Sequence, residues 1–176
     1  PPAAPAPPAP PPLSLFDYIG GQFDRTVTWR DLEWLASEWS GPLAVKGIMT
    51  PADAKRSIAS GASGVIVSNH GGRQLDGVPA PIHQIAAVRD ALGDGPDVIC
   101  DGGIRRGSDV VKAIALGATA CAIGRLYLYG LAAAGEKGVD RVLALLTEEV
   151  ERTMILSGVA GIGGLEGRHV RNFRRG

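Results

Sequence analysis

The segment SNHGGRQLDG, residues 68–77, places a histidine and an arginine among three glycines directly after the apolar run GVIVS. An imidazole titrates near neutral pH, so His70 is a candidate general base. The guanidinium of Arg73 presents two parallel donors that suit a carboxylate. Together these residues predict proton abstraction from a substrate that carries a carboxylate. The alternative is a structural histidine, because a lone histidine is more often structural than catalytic.

Two further glycine-rich segments have the composition of a phosphate site. DGGIRRGSD (101–109) offers unobstructed backbone amides, the charges of Arg105 and Arg106, and a helix N-terminus that we expect Ser108 to cap. IGR (123–125) follows the next apolar run. Two such loops after neighbouring strands favour a phosphate cradle over an ordinary glycine-rich turn with solvated arginines.

Lys46 ends the apolar run PLAVKG (42–47). An ammonium buried at the end of a strand needs an anionic partner, so we predict a charged ligand atom beside it. The alternative is a lysine whose head group reaches the solvent at the rim.

Several other residues that could do chemistry are predicted to be structural. His83 falls inside a predicted helix and His169 in a basic segment, so both are expected at the surface. Cys100 and Cys121 lie in apolar runs and are expected to be buried, reduced thiols. GIGGLEG (161–167) imitates part of a dinucleotide fingerprint but follows no strand, so it is interpreted as a loop. No grouping of His, Cys, Asp and Glu has metal-ligand spacing.

Strands and helices alternate in the part of the chain that must position these residues. The predicted strands are PLAVKG (42–47), GVIVS (64–68), DVICD (97–101) and TACAIG (119–124). The predicted helices cover 29–39, 50–61, 81–93 and 108–117, followed by a helical run from near Leu126 and a longer helix over 138–158. Thr28 and Thr50 are the expected N-caps of the first two helices. Strands without polar alternation predict a parallel sheet that is covered by helices.

The special residues follow four consecutive strands, each at the strand's C-terminal end. A (β/α) barrel builds its active site from these ends, whereas a doubly wound sheet concentrates its site at one switch point. The pattern therefore favours an α/β barrel. The residues expected to gather at one sheet edge are Lys46, Ser68, His70, Asp101 and Arg125.

The composition indicates a single domain with a small-molecule function. The chain has 176 residues, 45% of them hydrophobic, and its 18 basic residues balance its 18 acidic residues. This balance does not indicate a nucleic acid or an acidic membrane as partner. No apolar stretch approaches the roughly 20 residues of a spanning helix, and a signal-peptide pattern is absent, so we predict a cytoplasmic protein.

Three segments are expected from the changes in composition. Residues 1–22 form a Pro-rich, disordered tail, 23–160 the folded domain, and 161–176 a basic C-terminal tail. PPAAPAPPAPPP, at the start, is restricted to polyproline II or disorder because proline fixes φ and offers no donor. A ligand for an SH3-type domain is the alternative function of this stretch.

Four motifs resemble the FMN-dependent 2-hydroxy-acid dehydrogenase and oxidase family, which includes glycolate oxidase, L-lactate dehydrogenase, L-lactate oxidase and mandelate dehydrogenase. They are VKGI (45–48), VSNHGGRQLDG (67–77), DGGIRRGSDVVKAIALGA (101–118) and IGRLYLYGLAAAGEKGV (123–139). The resemblance runs from about Phe23 to Val159. It implies a TIM (β/α)8 barrel of which this chain holds the C-terminal half, with four parallel strands and covering helices.

The resemblance also implies roles for individual residues. Lys46 would lie against the flavin near N1 and O2, and Ser68 would hydrogen-bond the flavin. His70 would be the base and Arg73 the clamp for the substrate carboxylate. The residues assigned to the ribityl-phosphate end of FMN are Asp101, Gly102, Gly103, Ile104, Arg105, Gly124 and Arg125.

The implied reaction converts a small 2-hydroxy acid of the lactate, glycolate or mandelate type to the 2-oxo acid. Two electrons pass to FMN, which oxygen, a quinone or a protein reoxidises. Association with a membrane would come through that electron acceptor.

The chain departs from the family in length, because it has four strands where a closed barrel has eight. We expect either a homo-oligomer that pairs sheet edges or a chain that lacks the N-terminal half of the barrel. Two hypotheses follow: an FMN-dependent oxidoreductase, or a non-catalytic half-barrel that binds FMN or phosphate weakly or assembles with a partner. For the isolated chain we predict weak FMN binding without efficient oxidation of 2-hydroxy acids.

Overall fold

A computed structural model describes residues 14–171, apart from the side chain of Phe16. Its four strands form one parallel sheet in the order β1-β2-β3-β4. The strands are β1 Ala44–Ile48, β2 Gly64–Ser68, β3 Asp97–Asp101 and β4 Ala120–Ala122. The helices are α1 Leu15–Gly21, α2 Trp29–Glu38, α3 Pro51–Ala59, α4 Ile85–Leu92, α5 Gly107–Ala115 and α6 Arg125–Leu156. The predicted α/β fold with four parallel strands and covering helices is confirmed.

Helix starts follow the predicted capping residues in α2 and α3 but not in α5. Thr50 Oγ1 accepts the Asp53 amide at 3.1 Å ahead of Pro51. Thr28 precedes α2 and donates its amide to the Asp31 carboxylate at 2.6 Å. The prediction that Ser108 caps α5 is wrong, because the helix already begins at Gly107. The Asp109 carboxylate instead turns back and accepts the amide of the N-cap residue, at position 106, at 3.0 Å.

The two faces of the sheet differ in how well they are covered. Parallel register aligns Val65 with Val98 on the face that packs against α3, α4 and α5. The core on that side contains Ile48, Ala54, Val65, Val67, Ile85, Val88, Val98, Cys100, Ile104, Ala113 and Ala118. The opposite face aligns Lys46, Ile66 and Ile99, of which the isoleucines are only half-buried. The expected burial on both faces therefore holds for β2 except at Ile66, and it fails for β1 and β3, which alternate, because helices cover one face only within residues 14–171.

The thiols were expected to be buried and reduced, and the structure confirms this fully for Cys100. Cys100 is buried in the core, whereas Cys121 on the shorter strand β4 is only half-buried, which corrects the prediction for that residue. Both are free thiols. Burial raises the pKa of Cys100 to about 12 and that of Cys121 to about 11, so both stay protonated at neutral pH.

The long helix α6 consists of two segments that fold against each other. Ala134 and Gly135 leave helical geometry, and Gly135 has a φ of 59°. Gly130 and Gly138, both buried, face each other so closely that a Cβ on Gly130 would lie 2.5 Å from the Gly138 carbonyl oxygen. The two helical runs predicted from near Leu126 and over 138–158 therefore meet at a glycine crossing.

The terminal segments are more ordered than expected where the structure describes them. Residues 1–13 of the predicted tail and 172–176 lie outside the described residues. Leu15–Gly21 is helical, which differs from the disorder expected up to residue 22. Leu165, in the predicted basic tail, is buried against Val111 and Ala115 of α5. Among residues 14–171 no helix is both long and apolar enough to cross a membrane.

Candidate functional site

The ends of three neighbouring strands bring Lys46, Ser68 and Asp101 into one cluster of direct contacts. Lys46 Nζ lies 2.7 Å from Asp101 Oδ2 and donates to Ser68 Oγ at 3.1 Å. Ser68 Oγ in turn donates to Asp101 Oδ2 at 2.6 Å. Because the strands are parallel, all three residues stand at the same C-terminal edge. The predicted gathering at this edge is confirmed for them, and the anionic partner expected for Lys46 is Asp101 itself.

The Asp101 carboxylate is held in its charged form by this cluster. Burial raises its pKa, but hydrogen bonds from Lys46 and Ser68, together with the charges of Lys46 and His70, outweigh burial and lower the pKa below its ordinary value. At neutral pH the cluster therefore contains one carboxylate and one ammonium in contact. Its net charge is close to zero.

This ion pair predicts a stability loss in acid. A carboxyl group whose pKa is lowered by folding contributes stability above its unfolded pKa of about 3.9, and loses it as the pH falls through the folded value. The loss should be at most about 1 kcal/mol, because the Lys46 side chain is 45% exposed. At pH 7, urea unfolding should give a higher free energy of unfolding for the wild type than for Asp101→Asn. This difference in free energy should shrink as the pH falls from 7 to 3. Asp97→Asn, at the exposed start of the same strand, is the control; an unchanged difference for Asp101→Asn would contradict the assignment.

The loop after β2 holds His70 in a backbone conformation that non-glycine residues rarely adopt. His70 has a φ of 53° and is the only such non-glycine residue within the described part of the chain. Its amide donates to Ser68 Oγ at 3.1 Å, and the amide of Gly71 donates to Asn69 Oδ1 at 3.1 Å. The ring lies against the end of β1, with Nε2 2.8 Å from where a Cβ on Gly47 would stand. His70 is thus connected to the cluster by its hydrogen bond to Ser68, and its ring packs on the neighbouring strand β1.

The arginines of the site occupy less constrained positions. Arg125 follows β4, and its Nη2 lies 3.7 Å from where a Cβ on Gly71 would stand, so it reaches the loop that carries His70. Arg73 is exposed in the same loop, and within residues 14–171 its side chain makes no hydrogen bond or ion pair. Arg125 joins the edge as predicted, while Arg73 is near it in sequence but contacts none of the clustered side chains.

The loop after β3 has the open backbone expected of an anion site. Gly102 and Gly103 have φ values of 113° and 81°. Neither the amide of Gly103 nor that of Gly124 donates a hydrogen bond within the part of the chain that the structure describes. Ile104 is buried in the core and anchors the loop, so its side chain is not available to a ligand. The Arg105 amide is bound to Asp109 Oδ2 at 3.1 Å, which leaves the exposed guanidinium as its free donor.

Arg106 does not belong to the site, contrary to the interpretation of both arginines as phosphate charges. Its Nη1 donates to Glu149 Oε1 at 2.8 Å, and the Gly107 amide donates to Glu149 Oε2 at 2.8 Å. These two bonds lower the pKa of Glu149 and fasten the second segment of α6 to the start of α5. Arg106 therefore has a structural role.

Gly47 and Asn69 were not predicted to act at the site, although Asn69 closes the loop that carries His70 and Gly47 leaves room for the His70 ring. Asn69 before HGG is the kind of residue that closes a turn through its side chain, and this signal could have been used. Gly47 carries no local signal, because its importance comes from a loop more than twenty residues away.

Comparison with known proteins decides the family. The sequence matches FMN-dependent dehydrogenases over residues 8–172, a longer range than the predicted domain at 23–160. The chain belongs to the FMN-dependent dehydrogenase family. The L-lactate dehydrogenase of Alcaligenes faecalis is 48% identical to this family member over 145 residues, which are 82% of this chain and 38% of the relative.

Solved structures agree with this family membership. This FMN-dependent dehydrogenase homologue superposes on the monotopic membrane protein (S)-mandelate dehydrogenase with a TM-score of 0.85 and 45% identity, over 92% of this chain and 44% of the other. A mandelate oxidase mutant, solved with a monooxide FMN adduct, gives a TM-score of 0.75 and 45% identity over 78% of this chain and 44% of the other. The chain therefore spans less than half the length of each of these three relatives, and it corresponds to that part of a TIM-barrel flavodehydrogenase.

Proposed function

We propose that this chain takes part in the FMN-dependent oxidation of a small 2-hydroxy acid of the lactate, glycolate or mandelate type to the 2-oxo acid. The observation that carries the proposal is the joining of Lys46, Ser68 and Asp101 at one sheet edge, with His70 bonded to the same hydroxyl. Relatives that are named as L-lactate and (S)-mandelate dehydrogenases support the substrate class.

The residues present fit an FMN phosphate. Among residues 14–171, the amides of Gly103 and Gly124 have no acceptor and no atom would lie within 4 Å of a Cβ at either position, so an anion has room to approach both backbones. The exposed guanidinium groups of Arg105 and Arg125 supply charge, which strengthens hydrogen bonds to phosphate oxygens. Asp101 and the backbones of Gly102 and Ile104 complete the proposed ribityl-phosphate site.

When bound, FMN would supply an acceptor for the two electrons and for one of the two protons that leave the substrate, and the other proton would pass to His70. Arg73 holds the substrate carboxylate by paired hydrogen bonds. Lys46 would place its ammonium, paired with Asp101, at the flavin end of the site. The Ser68 hydroxyl already donates to Asp101 and accepts from Lys46 and from the His70 amide, so it would exchange one of these hydrogen bonds for a bond to the ring. The 2-oxo acid is then released.

Three features of the whole protein belong to the same proposal. Oxygen, a quinone or a protein is the final electron acceptor. The protein works in the cytoplasm, with membrane association through that acceptor, as one relative is a monotopic membrane protein. A homo-oligomer, or a further part of the barrel, covers the open face of the sheet.

The second hypothesis is a non-catalytic half-barrel that binds FMN or phosphate. The open sheet face with half-exposed Ile66 and Ile99 favours it, because a catalytic site must exclude water. Fluorescence titration with FMN, followed by anaerobic addition of L-lactate, glycolate or (S)-mandelate, separates the two hypotheses. Bound FMN that loses its absorbance supports the oxidoreductase, and bound FMN that stays oxidised supports the second hypothesis.

Arg105→Ala and Arg125→Ala should each weaken FMN binding by about 10- to 150-fold, because each removes a charge-assisted bond to phosphate worth about 1.5–3 kcal/mol. Riboflavin, which lacks the phosphate, should bind wild type and both variants with equal affinity. Arg141→Ala, on the exposed side of α6, is the matched control and should leave FMN affinity unchanged. FMN binding that is indifferent to Arg105 and Arg125, or no FMN binding by the wild type, would refute the phosphate assignment.

A further inference from the structure

The imidazole of His70 rests on the one position of β1 that has no side chain. A Cβ on Gly47 would stand 2.8 Å from His70 Nε2, 3.7 Å from Cδ2 and 3.8 Å from Cε1. Carbon atoms do not approach a ring nitrogen that closely, so any other residue at this position displaces the ring. Contact with β1 therefore depends on glycine.

The backbone at Gly47 is also specialised. Its φ is 97°, and the register between β1 and β2 shifts between Lys46 and Ile48. This irregularity comes directly after Lys46, whose side chain belongs to the charged cluster. Gly47 therefore lies between Lys46, on its own strand, and His70, from the next loop.

The other side of His70 is fixed by the loop itself. Its backbone is left-handed, with a φ of 53°. Two hydrogen bonds support this conformation: the His70 amide donates to Ser68 Oγ, and the amide of the following residue, Gly71, donates to Asn69 Oδ1. A residue in this conformation persists only where its surroundings determine it. The loop thus places the ring against β1, in the space that a side chain at position 47 would occupy.

We propose that Gly47 is a positioning residue for His70: its missing side chain defines where the imidazole stands relative to Lys46 and the flavin end of the site. This inference rests on the proposed function, in which His70 accepts the substrate proton. A side chain at position 47 leaves the phosphate loops untouched but moves the base.

The test combines Gly47→Ala with His70→Ala in a double-mutant cycle on the FMN-loaded chain. Under anaerobic single-turnover conditions, Gly47→Ala should lower the saturated rate of flavin reduction at least 30-fold and change FMN affinity less than threefold. Added to His70→Ala, the same substitution should lower the rate less than twofold, because the group it displaces is already gone. Gly93→Ala is the control for backbone strain, since Gly93 also has positive φ, 68°, but open space around it.

A second measurement does not depend on turnover. A nuclear Overhauser effect between the Gly47 α-protons and the His70 ring protons should appear in the wild type and vanish in Gly47→Ala. If the wild type binds FMN but fails to reduce it, the non-catalytic half-barrel is supported, and the Overhauser effect still tests the contact between Gly47 and His70. Independent, additive rate losses in the cycle, or an absent Overhauser effect in the wild type, would overturn the positioning role.

Discussion

Replacing His70 by alanine is expected to lower the rate at which a 2-hydroxy acid reduces bound FMN by about 10²–10⁴-fold, the usual contribution of a positioned general base. Among the described residues at this sheet edge the imidazole is the candidate base, because Lys46 and Asp101 are already engaged with each other. FMN affinity should change less than threefold, since the phosphate loops are separate from the His70 side chain.

The measurement is anaerobic single turnover followed by flavin absorbance over hours, which captures slow rates. His83→Ala is the matched control, because His83 is exposed on the short helix Pro81–His83 and should leave the rate unchanged. Equal rates for wild type and His70→Ala, with FMN bound in both, would mean that the base is another group or that reduction does not need one.

The substitution Gly107→Ala should destabilise the fold by about 3 kcal/mol, the upper end for overpacking a closely packed contact. A Cβ at Gly107 would overlap the Val150 amide nitrogen and the backbone and side chain of Glu149. These are mostly backbone atoms, so α5 and the second segment of α6 must separate. The separation would also break the bonds from Arg106 and Gly107 to Glu149.

Packing and helix propensity predict opposite signs for the stability change in Gly107→Ala. Alanine in place of glycine normally stabilises a helix by up to about 1 kcal/mol, so packing must reverse the intrinsic preference. Urea unfolding should show a lower midpoint for Gly107→Ala. Gly95→Ala, in a loop where a Cβ meets no atom within 4 Å, should show no comparable loss. A neutral or stabilising Gly107→Ala would mean that α5 and α6 are not packed as closely as the structure shows.

The sheet and its functional edge could be predicted because both depend on local patterns. A polar residue at the end of an apolar run marks the C-terminal end of each strand. Parallel strands necessarily bring their C-terminal ends to the same edge of the sheet. Lys46, Ser68 and Asp101 were predicted to gather there for this reason, and the structure brings them into contact.

The remaining features depend on partners that are distant in sequence. Arg106 was interpreted as a phosphate ligand because Glu149, its actual partner, lies 43 residues further along the chain. The burial of Cys121 and Ile99 depends on what covers each face of the sheet, and no strand pattern contains that information. The start of α5 was predicted wrongly because the Asp109 carboxylate, inside the first turn, caps the helix in place of the Ser108 hydroxyl.

The strand order β1-β2-β3-β4 has a consequence for how the molecule acquires its charged cluster as it folds. Each strand pairs with the strand that precedes or follows it in the chain, so every pairing closes a single strand–helix–strand loop. The two closures, 22 residues between Lys46 and Ser68 and 33 between Ser68 and Asp101, differ in entropic cost by only about 0.4 kcal/mol. Neither strand pair has a marked kinetic advantage, and the cluster is complete only once both have formed. Contact among the ammonium, the hydroxyl and the carboxylate therefore requires all three strands to be paired.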